Sequence, residues 1–169
     1  MIVGLAPGLK GANRTGRPFT GDYAGLLLYD TLLAYGLARG TYDQRSDDGL
    51  VLTGCRITNA VRCVPPENKP TPGEVAACRG FLAATLKQTP KVRAILALGR
   101  IAFEATLRAL VLKPSQYKFN HGGTIDLGAG LKLFGSYHCS RYNTSTGRLT
   151  PEMFRDVFDK IAAHLKSAA

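Results

Sequence analysis

Residues 92–99, VRAILALG, decide the fold. Ala94 to Leu98 is an unbroken apolar run with no polar alternation, so it reads as a strand covered on both faces. Gly99 ends it and opens a helix that runs to about Leu110. Strands of this kind belong to parallel sheets lying between helical layers. Outward from this point the alternation repeats. Residues 1–5 begin as a short apolar strand, and Ala24 to Gly36 reads as an apolar helix ended by glycine. Residues 39–50 are polar and read as loop. CRITNAVRC (55–63) offers a second strand, and Pro65, Pro66, Pro70 and Pro72 break the chain before a helix from Gly73 to Leu86. Residues 113–123 read as a basic loop containing His121, followed by a fourth strand, LKLFGSYH (131–138). In the last helix Thr150 serves as N-cap and Pro151 as first residue. Phe154, Val157, Phe158, Ile161 and Leu165 recur there at helical spacing. The expected fold is α/β, a three-layer α/β/α sandwich around a mainly parallel four-stranded sheet, as a single domain over residues 1–169.

The chain carries 22 Lys and Arg against 12 Asp and Glu, a formal charge of +10. Such a balance favours polyanionic partners, nucleic acid first. No apolar run approaches the ~20 residues needed to span a bilayer, and no signal-like segment opens the chain, so the expected location is the cytoplasm. The four cysteines, Cys55, Cys63, Cys78 and Cys139, form no CxxC pair. A cytoplasmic setting argues against disulfides, and spacing alone does not establish metal binding. Neither GxxxxGK[S/T] nor GxGxxG occurs, so a nucleotide-hydrolysing reading has little support.

Three loops carry the unusual residues, and ligands gather at the carboxyl ends of strands in such sheets. The first is GLAPGLKGANRTGRPFTGD (4–22), a basic, glycine-rich loop. In it Phe19 reads as core or as a stacking surface, and Asp22 as a helix N-cap or a working carboxylate. The second, NAVRCVPPENKPTP (59–72), is stiffened by prolines, and its Asn68 reads as an Asx-turn residue or as an amide that both donates and accepts. The third, GSYHCSRYNTSTGRLT (135–150), places His138 at the end of a buried strand. Arg141, Asn143 and Arg148 follow it with hydroxyls between them, a composition suited to gripping phosphate.

Taken together, GLAPG with GANRTGRPFTGD, VRCVPPENKPTP and GSYHCSRYNTSTGRLTPE resemble the family 5 (B-type) uracil-DNA glycosylases of bacteria and archaea. Leu5 stands where the family 4 enzymes have the glutamate of GEAPG. The resemblance implies an α/β/α glycosylase fold and excision of uracil and related deaminated bases, mostly from double-stranded DNA. It implies a monomer in the bacterial or archaeal cytoplasm, associated with the nucleoid. It assigns catalysis to Asp22, at the sugar or its water, and to His138, at the departing base anion. Gly4, Ala6, Phe19 and Asn68 would surround the flipped base, with Phe19 stacking and Asn68 reading the pyrimidine edge. Arg14, Arg17, Lys69, Arg141, Asn143 and Arg148 would contact DNA. Leu5 implies a roomier pocket and a broad range, including hydroxymethyluracil, ethenocytosine and hypoxanthine. The family typically holds a 4Fe-4S cluster on four cysteines, two of them before the first strand. Cys63 and Cys78 match the other two, whereas Cys55 and Cys139 match none. The chain starts at that first strand, and the expectation is that it lacks the family's N-terminal cysteine-bearing segment. Lys10 replaces a more usual histidine. The alternative reading is a catalytically inactive DNA-binding relative without the cluster segment.

Overall fold

The strand Ala94–Leu98 is buried at every residue and lies at the centre of a five-stranded sheet. The computed structural model describes residues 1–167. In chain order the elements are β1 (Ile2–Gly4), α1 (Ala12–Thr15), α2 (Tyr23–Ala34), β2 (Ala38–Arg39), β3 (Val51–Leu52) and β4 (Ile57–Asn59). They continue with α3 (Pro72–Lys87), β5 (Ala94–Leu98), α4 (Arg100–Ala109), β6 (Thr124–Asp126), β7 (Lys132–Ser136), α5 (Arg141–Ser145) and α6 (Pro151–Ser167). The sheet order is β4-β1-β5-β7-β6, with β6 alone antiparallel.

Alternate side chains divide the core between two layers. Ile2, Leu96, Leu98 and Phe134 pack with Leu28, Leu32, Phe154 and Phe158 of α2 and α6. Val3, Ile95, Ala97 and Leu133 pack with Leu82, Ala102, Phe103 and Leu107 of α3 and α4. The three-layer α/β/α architecture therefore follows from strands that are apolar on both faces. The sheet has five strands instead of the expected four. The addition, β6, is a half-exposed three-residue edge whose short Thr-Ile-Asp pattern carries little hydrophobic signal. A second departure is the two-residue pairing of β2 with β3 around the polar segment read as loop. A third is α5, one short polar helix inside the last loop, capped by the Ser140 hydroxyl. At the end of α6 Leu165 is 36% exposed, while Phe154, Val157, Phe158 and Ile161 are buried as their spacing required.

The chain leaves β1 for β4 on one side and then crosses back to β5 on the other. That reversal opens a crevice at the carboxyl end of β1, the position where open α/β sheets bind ligands.

Candidate active site

A cavity of about 470 Å³ occupies this crevice. Leu5, Ala6 and Gly8 come from the loop after β1, Asn59 from the last residue of β4, and His138 from just beyond β7. Phe19, Asp22, Asn68 and Arg141 also line it, so the three loops meet in one place.

Phe19 sits in the left-handed backbone region, at φ 55°. This costs a non-glycine residue about 1–3 kcal/mol, so surrounding structure must hold it there. The Tyr42 hydroxyl donates to the Phe19 carbonyl at 2.9 Å. A Cβ on Gly4 would fall 2.7 Å from the Phe19 Cζ and 2.5 Å from the Asn59 Oδ1. Gly4 is buried and contributes this space instead of a face of the cavity. The Phe19 ring lies 5.9 Å from the His138 ring, centroid to centroid.

Asp22 caps a helix and also lines the cavity. Its Oδ1 caps α2 by accepting the Gly25 N–H at 3.2 Å. Its Oδ2 lies against the opening loop, where a Cβ on Gly11 would come within 2.5 Å. Burial raises the Asp22 carboxyl above its usual pKa, against the lowering effect of the Gly25 and Ala24 amides. His138 shifts the opposite way: burial pushes its pKa down to about 4, so the ring is neutral at pH 7. Its backbone carbonyl is fixed by the Asn143 amide, whose Nδ2 donates at 2.8 Å.

Asn59 is a residue the sequence reading missed. Its Oδ1 is buried and has no hydrogen-bond partner among the described residues, although the side chain lines the cavity. An orphaned buried acceptor is destabilising unless a ligand satisfies it. The available signal was an amide ending an apolar strand, ITN, directly opposite Gly4 in the parallel register.

The family model described as the Uracil DNA glycosylase superfamily matches residues 1–162. A type-5 uracil-DNA glycosylase of Thermus thermophilus is 50% identical over 93% of this chain and 71% of its own length. The chain belongs to the type-5 uracil-DNA glycosylases. Another type-5 uracil-DNA glycosylase, from Pyrobaculum aerophilum, is 41% identical over 96% of this chain and 70% of its own. A third, from Mycobacterium bovis, is 46% identical over 94% of the chain, which spans 60% of that relative's length.

Within this glycosylase fold the remaining expected residues fall into three groups. Ala6 and Arg141 line the cavity, and Asn68 reaches it from an exposed position with φ 56°. Arg14, Lys69 and Arg148 are exposed. The Arg141 guanidinium lies 5.5 Å from the centre of the Tyr23 ring, and that of Arg148 lies 4.8 Å from Tyr137. Two residues expected at DNA are engaged internally. Asn143 braces His138, as described above. Arg17 makes a bidentate ion pair with Asp48 at 2.8 and 2.7 Å and lies against the Tyr29 and Tyr42 rings. Its side chain is only 17% exposed and that of Asp48 1%. This pair fastens the polar segment before β3 to the Phe19 loop and leaves little of the Arg17 side chain exposed.

The cysteines present do not by themselves fit a 4Fe-4S cluster. Cys63 is exposed, and the Cys78 Sγ accepts the neighbouring Arg62 amide at 3.5 Å. Cys55 donates to the Leu37 carbonyl, and Cys139 is fully buried, its thiol pushed up to about 12. Among the described residues no group of three or more His, Cys, Asp or Glu side chains could hold a metal. Also among them, no helix is long and apolar enough to cross a membrane.

Proposed function

We propose that this chain is a monofunctional DNA glycosylase that flips uracil and related deaminated bases out of double-stranded DNA and hydrolyses the glycosidic bond. One observation carries the reading. A single cavity on a basic protein gathers an aromatic face, an unpartnered amide oxygen, a neutral imidazole and a carboxylate.

A base inside a duplex is out of reach, so it must be extruded, and stacking on Phe19 offsets part of the unstacking cost. Uracil presents a ring N–H beside a carbonyl. The Asn59 Oδ1 accepts that N–H and its Nδ2 donates to the carbonyl. Cytosine presents a lone pair at the same ring nitrogen, leaves Oδ1 unsatisfied and is rejected. Asn68 contacts the base or its sugar from the rim.

As the bond from sugar C1′ to the base breaks, its electron pair leaves with the base and positive charge develops on the sugar. A ring N–H of neutral His138 donates to the base oxygen where negative charge grows, an interaction worth roughly 2.7–4 kcal/mol at comparable oxyanion sites. The Asp22 carboxylate stabilises the sugar cation and orients the water that adds at C1′. Exposed Arg14, Lys69, Arg141 and Arg148 hold the phosphates. Leu5 places no charged group at the cavity wall, which supports acceptance of several damaged bases.

The test is base release from a labelled duplex containing one uracil, with Asp22→Asn and His138→Ala alongside. Cleavage at the uracil after alkali, cut at least 100-fold in each variant, is the expected result. DNA binding without release, unaltered by either substitution, would establish the inactive alternative.

A further inference from the structure

His121 stands in the basic loop before β6, outside the cavity lining, with both ring nitrogens engaged. Its Nδ1 accepts the Tyr137 backbone N–H at 3.1 Å. Its Nε2 faces the Met153 carbonyl of α6 at 3.1 Å. An acceptor at Nδ1 and a carbonyl at Nε2 fix the tautomer, with the proton on Nε2. The Tyr137 ring stacks on the imidazole at 4.9 Å and 19°. Tyr137 directly precedes His138, whose own carbonyl is held by Asn143. The backbone carrying His138 is therefore held at two neighbouring points, by an imidazole on one side and an amide on the other.

We propose that neutral His121 is a positioning residue for His138, accepting the Tyr137 N–H so that the backbone leading to His138 is fixed and its ring enters the cavity in one orientation, while the Met153 carbonyl serves to set the tautomer. The inference rests on the glycosylase reading for its kinetic consequence but not for its geometry. It also gives the site a second dependence on protonation. A proton on Nδ1 would turn the acceptor into a donor facing the Tyr137 N–H, and the bond would be lost. The groups facing His121 are Ser136 of β7 and Tyr137 just beyond it, and Met153, Asp156 and Lys160 from α6. Ser136 donates its hydroxyl to the Tyr137 carbonyl and lies 3.5 Å from Nδ1. Lys160 is tied to the adjacent Gly122 carbonyl at 2.8 Å and opposes a second positive charge, whereas Asp156 favours one. Burial is the largest influence and holds His121 below the usual histidine range, so the bond is intact at neutral pH.

Two variants separate positioning from general stability. In His121→Asn the amide oxygen takes the place of Nδ1 and can accept the Tyr137 N–H, without titrating. His121→Gln places its polar atoms near Nε2, keeps a donor for Met153 and leaves the Tyr137 N–H unsatisfied. The assay is steady-state excision from a single-uracil duplex as a function of pH, with thermal melting of each variant. The expected result for His121→Gln is a kcat about tenfold below wild type with KM within about twofold. His121→Asn should recover most of kcat and lose the acid-side fall that His121 contributes in wild type. Unchanged kcat in His121→Gln overturns the proposal, as does His121→Asn performing no better than His121→Gln. A rate loss that merely follows melting temperature in both variants also overturns it.

If wild type releases no base, the glycosylase reading fails, and NMR of the intact chain with labelled histidine and backbone amides decides the positioning question alone. Titration of His121 should then move the Tyr137 amide and the His138 ring signals together in wild type, and this movement should vanish in His121→Asn. Independent titration of the two histidines would refute the coupling.

Discussion

Lowering the pH should charge His138 against the environment that buries it, and the cost follows from the site. In the folded chain burial holds His138 at about 4, against an ordinary value of 6.5. A base whose folded pKa is depressed binds its proton more readily when unfolded, so acid favours unfolding. Above pH 6.5 the ring is neutral in both states and contributes nothing to this slope. Through the window from 6.5 down to 4 the penalty grows, reaching about 2 kcal/mol at pH 5 and about 3 kcal/mol at pH 4. Against a total stability of typically 5–15 kcal/mol this is a large fraction. The assay is urea unfolding of wild type and His138→Gln at pH 7, 6, 5 and 4 in a common buffer series. Carboxylates and His121 titrate in both proteins, so the difference between the two curves isolates His138. The wild-type curve should fall more steeply by those amounts, whatever offset the substitution introduces at pH 7. Parallel curves would show that the ring is solvated or charged in the folded protein, and the neutral-donor mechanism would fall with them.

Four further outcomes are expected. Asp22→Asn should keep the helix cap and match or exceed wild-type melting temperature, since the raised carboxyl pKa makes its ionised form a cost to folding at neutral pH; excision should collapse, with the wild-type rate falling on the acid side as Asp22 protonates. Asn59→Leu removes an unsatisfied buried acceptor, so chemical denaturation should show little or no destabilisation, while excision falls by about 1–3 kcal/mol of transition-state binding. Tyr42→Phe removes only the hydroxyl that holds the Phe19 carbonyl and should cost about 1 kcal/mol of unfolding free energy, with a measurable loss of kcat on a uracil duplex. Asp48→Asn breaks the buried pair with Arg17 and should cost about 3 kcal/mol in urea unfolding; Arg17 holds the Asp48 carboxyl well below its usual range, so this contribution is present at neutral pH and disappears only in strong acid.

What the sequence disclosed was whatever depended on local pattern. The continuous run Ala94–Leu98 implied a doubly covered strand, and the structure buries all five residues. The spacing in the last helix placed Phe154, Val157, Phe158 and Ile161 in the core, and the Met153 amide meets the Thr150 hydroxyl as the expected cap requires. Elements stabilised by non-local partners were harder to read. β6 exists because β7 offers it an edge, and its own residues are mostly exposed. Arg17 looked free because its counter-ion lies 31 positions away. Asn68 stood out as an amide in a proline-rich turn, whereas the orphaned amide of Asn59, at a strand end, shows only once Gly4 is seen beside it. The cap at Asp22 was legible, since an Asp before an apolar helix is a local signal, and its other oxygen faces the opening loop.

Burial acts on the two central groups with opposite sign, and the proposed chemistry uses both. Burial in the same crevice raises Asp22 and lowers His138, so each is disfavoured in its charged form in the free protein. An imidazolium at His138 would bind an anion more tightly, but it would cost the folded state several kcal/mol. A neutral donor avoids that cost and gains strength as charge develops on the base, when the interaction assists the transition state more than the ground state. Asp22 has the complementary task. Its carboxylate is poorly solvated in the free protein, and the sugar cation supplies the counter-charge that water does not. On the proposed mechanism Asn59 follows the same logic in uncharged form, its unpaired oxygen matching a donor that uracil has and cytosine lacks. Each group left unsatisfied in the free protein would then find its partner in the reacting base or sugar, so a variant that relieves the free protein should be the one that loses the reaction.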